Sequence, residues 1–111
     1  MKIKFTLAAV AALFAMNTFA SEVVLDVRTP AEIAETGAVQ GALTADFKSP
    51  GFKNAVQALK INPDDDVKIY CRSGVRAGMA AEILQSMGFK HVENLGGYQD
   101  AAKKLNRPLV K

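Results

Sequence analysis

The chain has 111 residues, half of them hydrophobic, with a single cysteine and 14 basic against 11 acidic side chains. That length suits one small domain with a modest core, and one cysteine excludes an internal disulfide framework. Two of the basic residues, Lys2 and Lys4, precede an apolar run; without residues 1–20 the balance is 12 basic to 11 acidic, so the basic pI makes no case for a nucleic-acid partner.

Lys2 and Lys4, the apolar run Phe5 to Met16 and the small-residue stretch Thr18-Phe19-Ala20 have the order of a cleavable secretory signal, with cleavage expected between Ala20 and Ser21. The run is shorter than the roughly 20 apolar residues of a membrane span, so the expectation is a soluble periplasmic protein without a membrane partner after cleavage. Residues 21–111 then form one domain. Glu22 to Val27 reads as a strand buried on both faces, as in parallel sheets. Thr29-Pro30-Ala31-Glu32 is a helix start, with Thr29 as cap, Pro30 at the first position and Glu32 closing a capping box. Gly37 stops that helix, a very short strand is expected within Gly41–Ala45, and Ser49-Pro50 opens a helix with Phe52, Val56 and Leu59 on one face. Asn62 to Asp66 is a turn. Val67 to Tyr70 forms a strand that runs straight into Cys71. From Val75 the residues Met79, Ile83, Leu84 and Met87 recur at helical spacing before Gly88, His91 to Leu95 is a third strand, Gly96-Gly97 a turn, and Tyr98 to Leu105 a last helix.

Alternating strands and helices predict an α/β domain with a mainly parallel central sheet flanked by helices. Ligands of such sheets gather beyond the carboxyl ends of the strands. Asp26-Val27-Arg28, Cys71 and Gly96-Gly97 all follow strands, so three segments converge on one edge.

Cys71-Arg72-Ser73-Gly74-Val75-Arg76 lies between a strand and a helix, where several loop N–H groups can turn inward and form a nest for an anion, backed by the helix amino terminus. Gly74 permits the backbone conformation this needs. The same donors and two nearby guanidinium groups stabilise a thiolate at the base of the loop, making it a nucleophile. Unpaired cysteines are commonly inert core residues, but a position between a strand end and two arginines is a poor place for one. Arg76 sits in a first helical turn, where a cation needs a partner against the helix dipole, and Asp26 is the expected partner, with Arg28 as a competitor; the alternative is that all three are surface charges.

The loop Cys71-Arg72-Ser73-Gly74-Val75-Arg76 resembles the active-site loop of the rhodanese family of sulfurtransferases. Leu25 to Glu32 is similar to that family's amino-terminal signature, and Asn94-Leu95-Gly96-Gly97-Tyr98 to its carboxyl-terminal one. The resemblance implies a small rhodanese-like domain that moves sulfane sulfur from thiosulfate to cyanide or a thiol through a Cys71 persulfide, with no metal or organic cofactor. It implies Cys71 as catalytic residue, Arg72, Ser73, Gly74, Val75 and Arg76 as the persulfide-binding loop, and Asp26 and Arg28 as supports. Arg72 either binds the sulfonate end of thiosulfate or is a solvated loop charge. The implied partners are thiosulfate and a thiol or cyanide, a sulfur-acceptor protein among the candidates; the chain is expected to be a monomer.

Two departures stand out. Gly37 to Ala42 lacks the histidine common after the first signature, and the expected mature chain starts almost at the first-signature strand. A carrier of sulfur without turnover is the first alternative. A phosphatase or arsenate reductase is the second, disfavoured because four residues separate Cys71 from Arg76 where the tyrosine phosphatase loop has five. A thiol-redox protein would lack a second cysteine to resolve its disulfide. His91 reads as a strand-start residue and Asp64-Asp65-Asp66 as a solvated turn, neither as a site.

Overall fold

A computed structural model describes residues 21–111, so the export signal expected over residues 1–20 lies outside the described residues. In chain order the elements are β1 (Glu22–Asp26), α1 (Pro30–Thr36), β2 (Ala38–Val39), β3 (Leu43–Thr44), α2 (Phe52–Ala58), β4 (Asp66–Cys71), α3 (Val75–Ser86), β5 (His91–Gly97), α4 (Tyr98–Leu105) and β6 (Leu109–Val110). The main sheet has the order β3-β1-β4-β5 and is parallel throughout, as the alternation of strands and helices requires. Among the described residues no helix is long and apolar enough to cross a membrane.

The period-2 alternation of strand side chains sorts the core onto two faces. Leu25, Val67, Ile69 and Cys71 pack with Val27, Phe52, Val56, Ala77, Ala80 and Leu84 on the side covered by α2 and α3. Val24, Tyr70 and Leu95 pack with Val39 and Ala101 on the side covered by α4 and the short β2–β6 ribbon. The two faces of β4 therefore carry different functions: Ile69 and Cys71 look toward α3, and Tyr70 looks toward α4.

The α1 capping box forms as expected, with the Thr29 hydroxyl accepting from the Glu32 N–H and the Glu32 carboxylate accepting from the Thr29 N–H. Four local expectations need correcting. α2 begins at Phe52 rather than at Ser49-Pro50, because Ser49 accepts the Phe52 N–H in a turn before the helix. Gly96-Gly97 is not a turn but the end of β5, where Gly97 pairs with Cys71 after a register shift. The antiparallel β2–β6 ribbon was not expected, since two-residue strands leave no pattern to detect. Finally, the buried face of α3 is Ala77, Ala80 and Leu84, with Ile83 and Met87 packed at its margin, whereas Val75 and Met79 are 68% and 45% exposed. At about 100° per residue Val75 and Met79 fall on the side of the helix opposite Ala77, Ala80 and Leu84, and so face solvent.

Candidate active site

Cys71 is the last residue of β4 and only 1% exposed. Its sulfur lies under the first turn of α3. The Gly74 N–H donates to Cys71 Sγ at 3.0 Å and the Ala77 N–H at 3.4 Å. First-turn N–H groups have no acceptor within their own helix, so they and the positive end of the helix dipole serve whatever anion sits there. Gly74 caps α3 with φ of 100°, in the left-handed region that glycine enters without a steric penalty. This residue choice aims its N–H back at the sulfur.

Arg76 fastens the loop, but its partner is Glu32, not Asp26. The guanidinium donates to Glu32 Oε1 at 2.7 Å and to Oε2 at 2.8 Å, a two-pronged pair between side chains 44 residues apart. The Arg76 hydrogen bonds, helped by those from the Thr29 N–H and hydroxyl, hold the Glu32 carboxyl at about 2 against an ordinary 4.5. Glu32 thus serves as the capping-box acid of α1 and as counter-ion to the cation that would otherwise oppose the α3 dipole.

Asp26 is out of reach of Arg76 for a reason set by sheet parity. It stands opposite Tyr70 in register and points to the α4 face, away from the side onto which Cys71 projects. There it accepts from the Arg28 backbone N–H at 2.9 Å and from the guanidinium Nε and NH2, the shortest contact being 2.8 Å. Both residues are buried, at 0% and 1% exposure. Arg28 also donates to Thr36 Oγ1 at 2.8 Å and to the Gly37 carbonyl at 2.9 Å, and its guanidinium lies 4.5 Å from the Tyr98 ring centroid. The pair joins the end of β1 to the end of α1 and the start of α4. Burial and the neighbouring Asp26 carboxylate push the Tyr70 phenol well above its usual range, and its oxygen accepts the Val39 N–H at 2.9 Å.

Arg72 is exposed and, among the described residues, forms no ion pair. It lines a small cleft with Arg28, Glu32, Glu35, Thr36 and Tyr98. Ser73 and Val75 are exposed on the loop. The end of β5 closes the other side. A Cβ on Gly97 would stand 2.5 Å from the Arg72 carbonyl oxygen, so only glycine lets the strand pass the loop this closely. Asn94 Nδ2 donates to the Gly74 carbonyl at 2.9 Å, and Asn94 Oδ1 accepts the Gly96 N–H at 2.8 Å. The structure therefore gathers Cys71, Arg72, Arg76 and the β5 glycines at the carboxyl ends of the strands, and leaves the Asp26–Arg28 pair on the opposite face of the sheet from the sulfur. His91 lies at the start of β5, at the other end of the strand. The contact of Glu32 with Arg76 and the contacts of Asn94 and Tyr98 are the site contacts that sequence reasoning missed.

The rhodanese-like domain profile matches residues 8–104 of this sequence. The chain belongs to the rhodanese-like domain family. It is 40% identical over 96 residues to the thiosulfate sulfurtransferase PspE of Escherichia coli, covering 86% of this chain and 89% of that protein. It is 37% identical over 86 residues to a sulfurtransferase of Allochromatium vinosum, covering 78% of this chain and 76% of the relative. A solved structure of a rhodanese with anions from Escherichia coli superposes with a TM-score of 0.65 at 38% identity, over 82% of this chain and 99% of that one. Membership with relatives this similar carries the reaction class: the chain is a sulfurtransferase.

Proposed function

We propose that the chain transfers sulfane sulfur from thiosulfate to cyanide or a thiol through a persulfide on Cys71. The observation that carries this reading is the sulfur itself, held at a parallel strand end by the N–H groups of Gly74 and Ala77. In the first half-reaction the Cys71 thiolate attacks the outer sulfur of thiosulfate, the sulfur–sulfur bond of the donor breaks, and sulfite leaves with the bonding pair. In the second, cyanide or a thiolate attacks the terminal sulfur of the persulfide and Cys71 leaves as thiolate. The loop N–H groups stabilise the anionic sulfur at each stage, preorganised donors being worth most where charge is transferred. Arg72, exposed and without an ion pair among the described residues, would receive the sulfonate end of the donor.

The loop length supports sulfur over phosphate. Only four residues separate Cys71 from Arg76, and Arg76 is already committed to Glu32 through both terminal nitrogens, so it is not free to clamp a phosphate. A structurally similar rhodanese holding anions is consistent with an anion cradle in this loop. We further propose that residues 1–20 are an export signal, that residues 21–111 act as a monomer in the periplasm, and that the acceptor there is a small or protein thiol. Steady-state kinetics with thiosulfate and cyanide are expected to give the parallel double-reciprocal lines of a two-step exchange, abolished in Cys71→Ala. Intersecting lines would argue against a free persulfide intermediate, and persulfide formation with negligible turnover would favour the sulfur-carrier alternative.

A further inference from the structure

Gly74 is held on one side by its own helix, its carbonyl accepting the Gly78 N–H at 3.0 Å. It caps α3 without any side-chain capping hydrogen bond, sits at a φ of 100°, and supplies the 3.0 Å N–H contact to Cys71 Sγ. A glycine reaches that conformation easily and leaves it as easily, so each further contact on its peptide groups helps fix the direction of its N–H. A second constraint comes from β5. The Asn94 amide spans from Gly74 to Gly96, donating to the Gly74 carbonyl at 2.9 Å and accepting the Gly96 N–H at 2.8 Å. Only one orientation of the amide satisfies both, since Gly74 offers an acceptor and Gly96 a donor. Gly78, one helical turn on, leaves the space: a Cβ there would stand 3.5 Å from Asn94 Nδ2.

We propose that Asn94 is a positioning residue for the reaction, acting through Gly74 to keep the Gly74 N–H on the Cys71 sulfur. The proposal rests on Cys71 being the reacting sulfur. The competing explanation is that Asn94 only shapes the end of β5, through its side-chain turn with Gly96 two residues on. The two explanations use different atoms of the amide, which makes them separable. Asn94→Asp keeps the acceptor for Gly96 and the side-chain volume, but replaces the donor with an oxygen facing the Gly74 carbonyl. Asn94→Ala removes both contacts and adds no charge.

The experiment measures, for wild type and both variants well below their unfolding temperatures, the rate of Cys71 alkylation by iodoacetamide and the kcat and KM for thiosulfate with cyanide as acceptor. Both variants are expected to lose about tenfold in alkylation rate and in kcat, with KM nearly unchanged because Arg72 is untouched. The loss in Asn94→Asp persists at high salt. Wild-type behaviour of Asn94→Asp would overturn the proposal in favour of the strand-end role. A loss confined to Asn94→Asp, or one erased by salt, would overturn it in favour of simple charge repulsion. Absence of turnover in the wild type would instead count against the sulfurtransfer reading, and the alkylation rates would still decide the role of Asn94.

Discussion

Two arginine–carboxylate pairs lie at the same end of the sheet and do different work. Asp26–Arg28 is local in sequence and sealed, at 0% and 1% exposure. Glu32–Arg76 spans 44 residues, with side chains 21% and 15% exposed. The sealed pair faces α4 and holds the end of β1 to two helices. The open pair ties the reactive loop to α1 by the acid that also caps that helix. Sheet parity decides which is which, because Asp26 and Cys71 leave their strands on opposite faces. The comparison separates fold support from loop support, although both use the same chemistry.

Removing one member of the sealed pair gives the largest effect. Asp26→Ala leaves a buried guanidinium without its counter-ion, and urea unfolding is expected to show a loss of about 3–5 kcal/mol. Turnover per folded molecule falls less in this variant than in one that breaks the open pair. The reverse order would show that Asp26 supports the loop after all.

Glu32→Gln is expected to lose about 1 kcal/mol, as a partly exposed pair does, yet to lower kcat/KM several-fold by releasing Arg76. A full loss of stability without a kinetic effect would erase the distinction between the pairs. The smallest effect is its pH dependence. Arg76 holds the folded-state carboxyl of Glu32 at about 2, below its ordinary 4.5, so the stabilisation is fully present above about 4.5 and is lost as pH falls toward 2. The stability gap between wild type and Glu32→Gln is expected to be constant from pH 7 to 5 and to narrow below 4.5. A gap that stays constant to pH 2.5 would mean that the charge of Glu32 contributes nothing.

The parts legible in the sequence are those carried by neighbours in the chain. The strand, loop and helix around Cys71 are contiguous, and the capping box of Thr29 and Glu32 is written in four residues, so both could be read directly. Charge and position at a strand end suggest Arg76 as the partner of Asp26, but strand alternation puts Asp26 on the face of Val24 and Tyr70. The second role of Glu32 and the bridge from Asn94 to Gly74 depend on segments 44 and 20 residues away, and no local pattern records such contacts. Val75 and Met79 belong to the apolar spacing that marks α3 in the sequence, whereas Ala77, Ala80 and Leu84 form its buried face. Hydrophobic periodicity underweights small residues such as the alanines of this face.

The most direct test of the central claim is the mass of the intact protein after treatment with thiosulfate. With Cys71 reduced beforehand, the expected result is the gain of one sulfur atom, located on Cys71 by peptide mapping and removed by cyanide with one equivalent of thiocyanate released. An unchanged mass with a demonstrably free thiol, or an adduct that persists when Cys71 is replaced by serine, would contradict it.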